Sequence, residues 1–356
     1  MLYNPKKIIG ALGRRYGGRP FQRVRAACYD AVRLGRDLRG TLCVCLGLPA
    51  PASLDRELDT RLYHDRPEPP AKPGVVCMLD GEMNHGGLTD RLRGILTAYR
   101  ETRRLGLPFY IFWTSPFPLT DYLLPATFDW RISPREISRS RANARAVVID
   151  DMNETQSLLR LRAALRSHLN GSRPQLHLYT NADSARGDYA ELYRELFVPS
   201  PALLREVERH TRILGPGYRA VATRFLTLLG DFTDWYETVL DEKESAALLD
   251  KVTAEFHKIA ARFPKDSRIL VTSDSRRFLE HIRHADPRIY IVEGDIGHID
   301  LNRDRGDDTW MKTLVDQQLL MGAAEVVRMR TGRMYAGGFP RFAAEVGGTR
   351  FTDHPF

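Results

Sequence analysis

From residue 75 onward the chain alternates short, unbroken apolar runs with segments of helical period. Val75–Leu79, Phe109–Trp113, Ala146–Ile149 and Leu176–Tyr179 are the runs of the first half. Apolar runs without polar alternation mark strands buried on both faces, the usual state of parallel sheets. Between the first two, Leu92, Ile95, Leu96 and Tyr99 share one helical face, which predicts a helix over 89–105 with Thr89 as its N-cap. The second half repeats the rhythm, with strands at Ala220–Thr223, Ile269–Thr272, Ile289–Val292 and Glu325–Met329. Helices are predicted at 243–262, 275–283 and 309–322, and a last one from near Pro340 to Gly347 and Gly348. Strand, loop, helix, strand is the signature of an α/β fold, here two Rossmann-like domains facing across a cleft.

Breakers divide the chain. A Pro-rich stretch at 48–52 and the cluster at 66–73 precede the first strand, and residues 21–39 carry apolar positions at helical spacing. Pro199, Pro201 and Gly215-Pro-Gly217 bracket a helical connector expected to act as a hinge. The expected organisation is a basic extension over 1–73 packing on the first domain, an acceptor-side domain over 74–205 and a nucleotide-sugar-binding domain over 217–356.

Composition excludes a mostly disordered chain: 43% of the 356 residues are hydrophobic, enough for a large core. The net charge of +8 resides entirely in residues 1–40, where ten basic residues face Asp30 and Asp37, so the remainder is neutral. This basic head reads as a solvated helix face or, with Leu2, Tyr3, Ile8, Ile9 and Leu12 among the cations, as a segment docking on an anionic membrane surface. No zinc-finger, zipper or RNA-binding signature accompanies the charge, so nucleic acid is not an expected partner. The cysteines, Cys28, Cys43, Cys45 and Cys77, form no Cys-x-x-Cys pair, which suits a reduced, intracellular protein. The longest apolar run, around Leu42–Leu48, falls far short of the roughly 20 residues needed to span a bilayer. No secretory signal is expected, because no apolar stretch of roughly 7–15 residues follows the N-terminal charge. A cytoplasmic location, peripheral on the inner membrane face through the basic head, is the expectation.

Three strand-end loops carry candidate chemistry. The first holds His85, Gly86, Gly87, Asp90 and Arg91, where paired glycines before a helix let backbone amides approach an anion or sugar. The second places Arg224 at the end of an apolar strand, where a planar guanidinium suits a phosphate or a structural ion pair, with Asp231 following. In the third, Ser273, Asp274 and Ser275 suit ribose or phosphate contacts or cap the next helix. No Gly-x-Gly-x-x-Gly follows a predicted strand, no phosphate loop of the Gly-Lys-Ser/Thr type is present, and no pair of histidines stands four apart.

Gly86-Gly-Leu-Thr-Asp-Arg-Leu-Arg-Gly-Ile95, Gly106–Phe109, Ser115–Phe117, Asp121–Leu123 and Phe128–Trp130, followed by the two later loops, resemble the fucosyltransferase superfamily. The bacterial branch that assembles surface polysaccharides is the nearest in pattern, over Val75 to Gly348. This resemblance implies the GT-B arrangement of two Rossmann-like domains, an inverting transfer of L-fucose from GDP-β-L-fucose to a glycan acceptor, and no cofactor or metal. It assigns Arg224 to the β-phosphate of the donor and Ser273, Asp274 and Ser275 to the nucleotide. Asp316 corresponds to an aspartate supporting the donor pocket, and Gly337, Gly338, Phe339 and Arg341 to the last motif.

The sequence departs from that pattern at Ala222, where the family carries histidine, and at Gly337 and Pro340, where it carries serines. His281-Ile-Arg283-His-Ala-Asp286 matches the histidine–arginine spacing better, but it ends a predicted helix rather than following the first strand of its domain. Glu82, His85, Asp90 and Asp231 are the candidates for the base that deprotonates the acceptor, with Asp90 and Asp231 carried as catalytic beside Arg224. Two other readings stay open: a catalytically degenerate nucleotide-sugar-binding protein, and a related glycosyltransferase using another GDP- or UDP-sugar.

Overall fold

The computed structural model describes residues 54–69, 71–150, 154–235, 238–302 and 306–356. The basic head, the 21–39 helix, the 48–52 stretch and Cys28, Cys43 and Cys45 lie outside the described residues. Helix α1 (Leu54–Leu62) leads into β1 (Gly74–Leu79), α2 (Leu88–Arg103), β2 (Phe109–Trp113), β3 (Leu123–Pro125), β4 (Ala144–Ile149), α3 (Glu154–Leu169) and β5 (Gln175–Thr180). Next come α4 (Tyr189–Leu196), β6 (Phe197–Pro199), α5 (Pro201–Leu214) and β7 (Arg219–Thr223). The chain continues through α6 (Glu242–Ala260), β8 (Ile269–Ser273), α7 (Arg276–Ile282), β9 (Ile289–Tyr290), α8 (Asp307–Gly322), β10 (Glu325–Arg330), α9 (Phe339–Gly347) and β11 (Arg350–Pro355).

Two parallel sheets result, ordered β2-β1-β5-β4 and β11-β10-β7-β8-β9. Val75–Leu79 pairs residue for residue with Phe109–Trp113, and β1 is buried along its whole length, as its unbroken apolar run requires. In the second sheet β7 lies centrally, pairing with β8 and β10. The apolar runs thus became strands, with β9 ending at Tyr290 rather than Val292 because the chain leaves the sheet there.

Helix α2 begins one residue earlier than predicted. Gly87, not Thr89, occupies its N-cap, and the Asp90 carboxylate accepts the Gly87 N–H at 3.1 Å. At Gly94 the helix lies directly on the end of β5: a Cβ there would stand 2.1 Å from the Thr180 carbonyl oxygen. The predicted connector is α5, capped by the Ser200 side chain and ended by Gly215. Strands β3 and β6 form an antiparallel pair, β11 extends the second sheet, and α1 packs on β4, none of them anticipated.

One cluster of buried side chains draws on both sheets, with Val75 and Leu79 from the first and Ala220, Leu270 and Val326 from the second. Edge-on packing of Tyr189 on Phe342, 5.1 Å between ring centroids, joins α4 to α9, and Phe117 meets Trp310 at 5.7 Å. The C-terminal ends of β1, β7, β8 and β10 feed the loops that carry the candidate chemistry, where ligands bind in open α/β sheets. None of the described helices is long and apolar enough to cross a membrane.

Candidate functional site

Strand β7 delivers Arg224 to this edge, and its neighbours fix the guanidinium on three sides. Nη2 donates to Asp234 Oδ2 at 3.2 Å, Nε lies 3.6 Å from Asp274 Oδ2, and the group sits over the Tyr335 ring at 5.3 Å. Its Nη1 side faces Gly337, where an added Cβ would be 2.8 Å from Arg224 Cδ and 3.7 Å from Nη1. Glycine is therefore needed for the arginine to lie flat on this turn. With 29% of its side chain exposed, Arg224 keeps an open flank. The ion-pair reading and the phosphate reading meet here: two carboxylates orient the fork while one end stays accessible.

Asp274 also holds the loop that carries Arg224. Its carboxylate accepts the N–H groups of Phe225 at 2.8 Å and Leu226 at 2.9 Å. Leu226 adopts φ of 55°, a left-handed conformation unusual for a non-glycine residue, and these two bonds retain it. Burial raises the Asp274 carboxyl to about 6, against the lowering influence of Arg224 and the two N–H groups. Ser273 Oγ receives the Thr223 hydroxyl and the Ser275 N–H, each at 3.1 Å.

Several residues expected to contact the ligand have partners within the protein. Ser275 is fully buried, caps α7 by accepting the Phe278 N–H at 3.1 Å, and donates to Asp231 at 2.9 Å. Asp231 also accepts the Arg277 N–H at 2.8 Å, so it secures the start of α7 rather than the helix that follows it. Arg91 has no exposed side-chain surface. Its Nε donates to the Gly86 carbonyl at 3.2 Å and Nη1 to the Ser115 carbonyl at 2.6 Å, while Nη2 pairs with Asp300. That same carboxylate accepts the N–H groups of His85 at 2.9 Å and Gly86 at 2.6 Å. The anion held by the glycine loop is therefore Asp300, a residue of the protein itself.

The His85 ring is 4% exposed and turned inward, stacked on Tyr179 at 6.1 Å, with Nε2 accepting the Gly81 N–H at 3.2 Å. Burial keeps it below the usual histidine range despite Asp80. Asp316 is buried in α8 and paired with Lys312, and burial raises its carboxyl. Arg341 runs along α9 to Glu345 at 2.8 Å and over Phe351 at 5.9 Å. Phe339 is partly buried against the core. The competing Arg283 is the C-cap of α7, paired with Glu293 at 2.6 Å.

Three residues passed over by sequence reasoning link these loops. His298 Nε2 lies 4.0 Å from Asp234, its Nδ1 accepts the Asp300 N–H at 3.2 Å, and burial lowers its affinity for a proton. A polar track thus runs from Arg224 through Asp234, His298 and Asp300 to Arg91. All three lie in polar, glycine-containing stretches after strands β7 and β9, a position that could have marked them. Among the described residues, no three His, Cys, Asp or Glu side chains gather to hold a metal ion.

The fold has counterparts among solved structures. NodZ alpha-1,6-fucosyltransferase soaked with GDP-fucose is similar at 14% identity, covering 77% of this chain and 93% of that one, with a TM-score of 0.52. A mutant of Arabidopsis thaliana FUT1 in complex with GDP is similar at 11% identity, over 90% of this chain and 77% of that one, with a TM-score of 0.50. The chain shares its fold with these fucosyltransferases. NodZ from Bradyrhizobium, crystallised with selenomethionine, gives 13% identity, 77% and 92% coverage and a TM-score of 0.50. No protein-family model and no curated protein sequence matches the chain.

Proposed function

We propose that the protein is an inverting glycosyltransferase of GT-B type that transfers L-fucose from GDP-β-L-fucose to a glycan, in surface-polysaccharide assembly. The observation that carries the reading is Arg224 at the end of β7, lying against Gly337 at the N-terminal end of α9. A helix start presents unpaired N–H groups and positive potential, and a partly open guanidinium beside it makes a cradle for a diphosphate.

In this reaction charge accumulates on the departing GDP. Arg224 and the amides at the start of α9 stabilise it, and Asp234 and Asp274 keep the guanidinium aimed at it. No metal is called for in this scheme. Of the four candidate bases, Asp90 fits best: one carboxylate oxygen caps α2 at Gly87, but the side chain stays half exposed and lies 3.9 Å from Arg93. His85 is buried, Asp231 secures α7, and Glu82 pairs with Arg61 at 3.5 Å on the surface. A lipid-linked acceptor at the inner membrane face would give the basic head of residues 1–40 a docking role.

Incubation with a panel of GDP- and UDP-sugars, with mass detection of the released nucleotide, tests the reading. Preferential release of GDP from GDP-fucose is expected, and preference for another donor would replace it. The degenerate alternative rests on Ala222, Gly337 and Pro340, and it predicts nucleotide binding with no release from any donor.

A further inference from the structure

We infer that Arg93, which belongs to the first sheet's helix α2, is a second ligand of the donor diphosphate and stands in for the hydroxyls missing at Gly337 and Pro340. The inference rests on the functional reading above and extends it to a residue outside the family's last motif.

Gly337 and Gly338 are each overlaid by an arginine. Arg224 lies on the first, and a Cβ on Gly338 would stand 2.5 Å from Arg93 Nη2. Two guanidinium groups, one from each sheet's side of the molecule, therefore converge on the same two residues at the start of α9. Arg93 is weakly committed elsewhere. Its nearest carboxylates, Asp183 at 3.5 Å and Asp90 at 3.9 Å, lie beyond tight ion-pair range, and its Nε is buried without a hydrogen-bond partner among the described residues. A buried N–H without an acceptor is costly, which favours an anion beside it. The Phe342 ring, 6.0 Å from the guanidinium and fully buried, holds the group in place.

Serine hydroxyls each offer one donor, whereas a guanidinium offers a planar fork of several. Gly337 lacks the serine hydroxyl, and Gly338, the position beside it, leaves open the space that the Arg93 fork occupies. Pro340 is compatible with the helix itself, since the second residue of a helix has no intrahelical N–H partner to lose. The last motif is altered but not degenerate, because its donors come from α2. Donor binding would then bridge the two sheets through one diphosphate, Arg224 from β7 and Arg93 from α2.

The test is calorimetric titration of GDP, inorganic pyrophosphate and guanosine into the full chain, comparing wild type with Arg93→Gln, Gly338→Ala and Arg224→Ala. Arg93→Gln is expected to weaken GDP and pyrophosphate by roughly tenfold or more, the effect of losing a charge-assisted bond, and to leave guanosine unchanged. Gly338→Ala keeps Arg93 but displaces its guanidinium, and should weaken the same two ligands. It serves as the second probe if Arg93→Gln lowers the melting temperature. Unchanged GDP affinity in both variants, or guanosine weakened as much as GDP, overturns the role of Arg93. If Arg224→Ala alone loses GDP, only this inference fails. If wild type binds neither GDP nor pyrophosphate, the functional reading fails with it.

Discussion

Arg91 and Asp300 form an ion pair whose side chains are 0% and 1% exposed, joining α2, which follows the glycine loop after β1, to the segment after β9. Asp300 also receives two backbone N–H groups of that loop, so its removal leaves a buried cation and the buried His85 N–H without their partner, while the Gly86 N–H keeps Asn84 Oδ1 at 2.9 Å. Asp300→Ala is expected to lower stability by about 3–5 kcal/mol, the usual cost of breaking a buried pair on one side. Denaturant unfolding measures this. The double variant Arg91→Met with Asp300→Leu should lose less, since an apolar replacement leaves no unpaired charge.

Gly94 sets how closely α2 approaches the first sheet. A methyl group there would meet the Thr180 carbonyl oxygen at 2.1 Å, a backbone atom that no rotamer change can move. Gly94→Ala should therefore destabilise by about 1–3 kcal/mol in spite of alanine's better helix propensity. A thermal melt with an equal or higher midpoint would show that the helix shifts freely.

The Asp274 carboxyl, raised to about 6 by burial, predicts a pH-dependent stability. A carboxyl with a higher pKa folded than unfolded contributes fully below its unfolded value of about 3.9, and that contribution is lost as pH rises through about 6. The stability of wild type relative to Asp274→Asn should thus fall between about pH 4 and pH 6 and then level off. Unfolding curves at a series of pH values check it; a difference that grows with pH would reverse the assignment.

The fold was legible where the apolar run is unbroken. Phe109–Trp113 was bounded correctly because every residue of it is apolar, and Arg224 was placed at a strand end for the same reason. Strand β11 was invisible because its sequence, Arg350 to Pro355, is polar and half exposed at a sheet edge. Helix α3 escaped notice because its buried stripe is thin, with Ser157, Leu161, Ala164 and Leu165 between arginines. At the site, the loops were identified but not their internal partners. Asp300 stands 209 residues from Arg91, and no local pattern encodes such a pairing. Sequence spacing likewise could not tell that Ser275 faces inward as a cap while Arg93, one helical turn into α2, faces Gly338.

Arg283 offers a control within the same sequence. Its pair with Glu293 is on the surface, where such pairs are worth about 0–1 kcal/mol. Arg283→Ala should change neither the melting temperature by more than a few degrees nor nucleotide release. A large loss of release would move the chemistry to the C-terminal end of α7.

The central claim is that Arg224 stabilises the departing diphosphate. Release of GDP from GDP-fucose, followed for wild type, Arg224→Ala and Arg283→Ala under identical conditions, tests it most directly. Arg224→Ala should lose about 100-fold or more in rate, the cost of one group placed against developing charge, while Arg283→Ala matches wild type. Turnover that survives in Arg224→Ala and disappears in Arg283→Ala would contradict the account.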